Sequence, residues 1–127
     1  VNTPPNALPL HLRLENYEQI RARLDRLRIV EGGLADLSKL GITDVDGFSL
    51  SDFGSYCDTA AYAACWDGVL AAASPGAQFC ERIFMNAMPL PSDQIMVDTK
   101  QSRDLTQNDR AIIYEIRAGK IEAPNDD

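Results

Sequence analysis

Cys57 stands one residue ahead of Asp58–Ser74, a stretch that reads as a helix, so its thiol lies where unpaired backbone N–H groups concentrate partial positive charge. Such a position favours the thiolate and would suit the nucleophile of a thiol-dependent enzyme. That chemistry also needs a base. The sole histidine, His11, lies far back in the sequence, and no third orienting group is identifiable. Free cysteines are among the most often buried residue types, so a core position is the simpler reading of Cys57, with reactivity as the alternative.

The acids Asp44 and Asp46 before Gly47 invite a calcium reading. Placing Gly47 at the sixth position of an EF-hand loop puts Ile42 first and Phe53 twelfth, where oxygen ligands are required, so the segment reads as an Asp-Gly turn. The three cysteines, Cys57, Cys65 and Cys80, contain no C-x-x-C pair, which points to a reducing cytoplasm and no disulfide framework. A single Cys57–Cys80 or Cys65–Cys80 bridge stays open. Their spacing to one another and to His11 matches no compact zinc ligand set, and the chain lacks phosphate-loop, dinucleotide, zincin and nucleophile-elbow signatures. We therefore expect no catalytic residues beyond the Cys57 alternative, no metal and no cofactor.

Charge is unevenly placed. Nineteen acids face twelve bases, for a net −7 over 127 residues. Residues 11–30 carry Arg13, Arg21, Arg23, Arg26 and Arg28, whereas residues 31–81 hold Lys39 as their only base. Duplex nucleic-acid binding is not expected, because it rests on Lys and Arg clusters that only the first stretch could supply. An acidic surface around Asp44, Asp46, Asp52 and Asp58 could instead attract a partner protein. No apolar run is long enough to span a membrane, which leads us to expect a soluble protein, and the cysteine usage leads us to expect a cytoplasmic one.

The elements that would position these groups read as mainly α. We expect a loose arm over residues 1–9, one globular helical domain over 10–121 and a loose tail over 122–127. The alternation of Leu8, Leu10, Leu12 and Leu14 would suit a short strand, and Tyr17, Ile20, Leu24 and Leu27 follow at helical spacing behind an Asn16 cap, to about Val30. A shorter helix is expected over Leu34, Leu37 and Leu40, then a long loop over 41–56. The central helix should be Asp58–Ser74, with seven alanines in seventeen residues and Ser74-Pro75-Gly76 as terminator. A further helix is expected over 77–88, with Phe79, Ile83 and Met88 inward, and a brief strand over Ile95 to Val97. A last helix should open at Leu105-Thr106 and carry Ile112, Ile113 and Ile116 to Gly119. An exposed Tyr62 and Trp66 face would favour a homodimer seam; periodicity alone does not separate that from a core.

The stretch Phe48 to Phe79 resembles a pattern in small uncharacterised proteins of tailed phages and prophages, with Cys57, Thr59, Ala60, Ala61, Trp66, Pro75 and Phe79 in matching places. Asp58 stands where those proteins have Gly, and Tyr62 where they have a second Cys, so a paired-thiol role does not transfer. The resemblance implies a phage or mobile-element origin, in which small accessory proteins bind and block host proteins. The combined expectation is a mostly α-helical domain of four or five helices. It would act as a non-enzymatic protein-binding module, an inhibitor of a host defence or other cellular complex, whose partner is a host protein or nucleoprotein complex.

Overall fold

The computed structural model describes residues 8–122, so most of the expected arm and tail, residues 1–7 and 123–127, lie outside the described residues. The chain divides into two compact units, Val1–Glu31 and Gly32–Asp127.

In the first unit the long helix expected from Asn16 to Val30 is a single short one, α1 (Tyr17–Arg21), among 3₁₀ turns at Leu10–Leu12, Leu14–Asn16 and Leu24–Arg26. The turns also replace the expected strand. No described residue of this unit is buried, and a helix of this length without a buried face has little to hold it. Asn16 does not cap α1 with its side chain; its Nδ2 donates to the Leu10 carbonyl at 2.7 Å instead.

The second unit carries β1 (Val45–Leu50), α2 (Thr59–Ala72), β2 (Ala73–Ile83), β3 (Ile95–Val97), α3 (Thr99–Asn108) and β4 (Glu115–Ile121). The strands form one sheet in the order β1-β2-β4-β3, with β1 and β2 parallel and the other neighbours antiparallel. This overturns the mainly α, four-to-five-helix expectation: the described chain is an α/β protein with three α-helices and a four-stranded mixed sheet. The 41–56 loop contains β1, the expected 34–40 helix is a 3₁₀ turn at Leu34–Asp36, and the expected 77–88 helix is the second half of β2. The expected 105–119 helix is two elements, the end of α3 and most of β4.

The cause of the largest error is visible in β2. Ala77, Phe79, Glu81 and Ile83 are buried while Gln78 and Arg82 are exposed, a period of two. Phe79 and Ile83 are four apart, a spacing shared by one strand face and one helix face, so that pair alone could not separate the two.

Asp58 caps α2, its Oδ1 accepting from the Ala61 N–H at 2.8 Å, and the helix ends at Ala72, just ahead of Pro75 and Gly76. The chain then becomes extended without a loop. Register with β1 passes from Val45↔Ala73 to Gly47↔Gln78, so residues 74–77 bulge out of the ladder, where Pro75 owes no N–H and Gly76 takes φ +81°. Trp66, Tyr62 and Val69 of α2 pack on Phe79, Leu50, Ile95 and Ile121 of the sheet, with Trp66 set edge-on to Phe79 at 5.3 Å between centroids. Tyr62 and Trp66 are 2% and 0% exposed, which makes their face core rather than a dimer seam. Gly68 lets α2 pass against the backbone of Leu34 and Ala35, where a Cβ would collide with the Leu34 carbonyl oxygen.

β3 covers only part of the outer edge of β4, from Gly119 to Ile121. Beyond it α3 closes the ladder with side chains. Ser102 Oγ accepts from the Ala118 N–H at 2.9 Å and donates to its carbonyl at 3.2 Å; Thr106 Oγ1, one turn on, accepts from the Ile116 N–H at 2.9 Å. Two hydroxyls thus stand in for a strand that would otherwise have to continue.

Candidate functional site

The residues singled out from the sequence do not converge on one surface role. Asp58 is the cap of α2. Asp52 accepts from Ser55 Oγ and from the Phe84 N–H at 3.2 Å, pinning the loop after β1 to the end of β2. Asp44 takes a left-handed φ of 56° at the turn into β1 and accepts from the Thr43 hydroxyl at 3.0 Å. Asp46, exposed on β1, has no partner among the described residues. Asp44 and Asp46 therefore keep their charge toward solvent, while Asp52 and Asp58 hold local structure.

Cys57 is half-buried at the residue before the Asp58 cap, as the sequence placed it. Its thiol's neighbour is the Cys65 thiol, whose pKa is raised by burial and then by Cys57 itself. No base is bonded to Cys57 among the described residues. Cys57, Cys65 and Cys80 are all free. His11 belongs to the first unit.

Two features were missed by sequence reasoning. The first is a buried polar cluster. Glu81, 2% exposed, accepts from Tyr62 Oη at 2.9 Å through Oε1, and its Oε2 lies 3.5 Å from Arg117 Nη1. Arg117 gives both terminal nitrogens to the Met88 carbonyl at 3.1 Å. Burial raises the Glu81 pKa, opposed by the Tyr62 hydrogen bond and the Arg117 charge; burial also pushes Tyr62 up to about 12. A period-two reading of residues 77–83 would have turned Glu81 inward. Glu81 and Tyr62 are buried, Arg117 reaches the surface, and the cluster ties α2, β2 and β4 together.

The second is a groove of about 910 Å³ between α3, β4 and the segments that follow β2 and precede β4. Phe84, Met85, Val97, Ile112 and Ile113 form its apolar wall and are all exposed. Of the hydroxyl residues in its lining, Ser102 and Thr106 are bonded to β4. Tyr114 is held between the Phe84 ring, 5.9 Å away, and the Arg82 guanidinium, 5.8 Å from its centroid. Ile112 takes φ +53°, a left-handed conformation that costs a β-branched residue energy and turns its side chain outward at 89% exposure. The sequence reading carried Ile112, Ile113 and Ile116 on one helix; of the three, Ile116 is buried on β4 and the other two are exposed ahead of it.

No protein-family model, curated protein or solved structure matches the chain. Among the described residues no three His, Cys, Asp or Glu side chains are grouped as a metal site, and no helix is long and apolar enough to cross a membrane.

Proposed function

We propose that the protein is a binding module that seats a segment of a partner protein in the groove between α3 and β4, and that it does no chemistry on that segment. The observation that carries this reading is the exposure of Phe84 (45%), Met85 (65%), Ile112 (89%) and Ile113 (54%) along one groove. Contiguous exposed apolar surface of this kind marks interaction sites, and the Ser102 and Thr106 hydroxyls beside it are engaged by β4. Held rings such as Tyr114 make good anchors, because little rotamer freedom is lost on binding. The resemblance of Phe48–Phe79 to small phage proteins supports a role as an inhibitor of a host complex. The thiol-enzyme reading has less support, since Cys57 neighbours another thiol and no bonded base.

A library of displayed peptides selected on the whole chain tests the proposal. Enriched peptides should shift backbone amide resonances of α3 and residues 112–117, and Ile113→Asp should abolish their capture with the circular dichroism spectrum unchanged. Peptides that bind equally well to Ile113→Asp would refute it.

A further inference from the structure

We infer that the segment taken by the groove carries carboxylates among its apolar side chains; this rests on the groove being the binding site. Between Gly32 and Glu122 acids outnumber bases, and the bases are Lys39, Arg82, Lys100, Arg103, Arg110, Arg117 and Lys120. Three of these seven meet the groove. Arg103 and Arg117 line it, and Arg82 lies over the Tyr114 ring that lines it.

Their engagement separates them. Arg117 is occupied by the Met88 carbonyl and by Glu81. Arg103 is exposed, with no hydrogen bond or ion pair among the described residues, and Arg82 meets only the face of Tyr114. Glu115 is the one acid in the lining. Two guanidiniums without a carboxylate, Arg103 and Arg82, thus stand at an apolar groove on an otherwise acidic unit. A guanidinium pairs a carboxylate through two parallel N–H bonds, so an apolar segment with interleaved Asp or Glu satisfies both the wall and the rim. Repulsion from Asp44, Asp46 and the other exposed acids would turn such a segment away from the rest of the surface, which makes the charge pattern a device for orientation as well as attraction. An overall charge of −7 suggests a basic partner; the local geometry at the groove points to the opposite sign.

The test uses the whole chain and two synthetic peptides with identical Leu and Phe positions, one with Glu and one with Lys between them, titrated by fluorescence anisotropy and mapped by amide shifts. The Glu peptide should bind at least about tenfold more tightly than the Lys peptide at about 0.05 M salt, with the gap narrowing at about 0.5 M. Arg103→Glu, on an exposed position of α3, should weaken the Glu peptide and strengthen the Lys peptide. Equal binding of both peptides, with shifts at Ser102, Thr106 and Ile113, would overturn the charge inference and leave the groove reading standing. Absence of groove shifts with either peptide would sink both. Groove shifts produced by anionic phospholipid vesicles but not by the Glu peptide, or by self-association of the chain in sedimentation, would also overturn the inference by naming a different occupant.

Discussion

Tyr62 on α2 donates its hydroxyl proton to Oε1 of Glu81 on β2 at 2.9 Å, in a core where each residue is 2% exposed. The bond locks the helix to the strand that follows it without a loop. Glu81 Oε2 has no hydrogen-bond partner, because the nearby Arg117 points both terminal nitrogens at the Met88 carbonyl and reaches the carboxylate only at 3.5 Å. A carboxyl so placed holds its proton more tightly than a solvated one does.

That preference makes stability depend on pH. Because burial raises the folded-state pKa of Glu81 above 4.5, the native state holds the proton more tightly than the unfolded chain does. Its contribution is present below that value and is lost as pH rises through the folded pKa. Urea midpoints of the wild type should therefore fall across this window, and Glu81→Gln should flatten that part of the profile; an unchanged slope in the variant would contradict it. Tyr62 behaves the same way at alkaline pH, its contribution being lost from 10.0 toward about 12. Tyr62→Phe should remove that alkaline loss and cost about 1–2 kcal/mol at neutral pH, since it leaves the buried carboxyl without its donor.

The closure of the β4 edge by α3 is open to direct measurement. Thr106→Val keeps the shape of the side chain and removes the acceptor of the Ile116 N–H, and Ser102→Ala does the same to Ala118. Each should cost about 1–2 kcal/mol and speed hydrogen exchange at its own amide while leaving the Cys80 and Phe79 amides of β2 slow. Unchanged exchange at Ile116 in Thr106→Val would show that α3 does not protect the edge.

The crossing of α2 over Leu34 and Ala35 depends on a missing side chain. Gly68→Ala would drive a methyl group into the Leu34 carbonyl oxygen and the Ala35 backbone, neither of which can rotate away. A loss of about 1–3 kcal/mol is expected in chemical unfolding. Gly33→Ala supplies the control, because its Cβ would meet only Asp36 Oδ2 at 3.9 Å; it should stay within about 0.5 kcal/mol of the wild type. Equal effects at the two positions would refute the close-approach argument.

α2 and β3 were readable along the chain because their determinants are neighbours in sequence. The alanines, the Asp58 cap and the Pro75-Gly76 stop sit within or beside α2, and the apolar run Ile95–Val97 falls on β3. The position of Cys57 ahead of α2 was equally legible. β2 and β4 were not, since Phe79 and Ile83, or Ile112 and Ile116, fit a helical repeat as well as a strand until the two segments pair with each other. The same pairing sets Glu81 opposite Arg117, exposes Ile112 and Ile113 and gathers Arg82 and Arg103 near one groove. Local backbone preference was enough to specify a capped alanine-rich helix. The sheet, its buried acid and the groove arise from hydrogen bonds and burial between separate elements, more than thirty positions apart along the β2–β4 ladder, and only the folded chain brings those together.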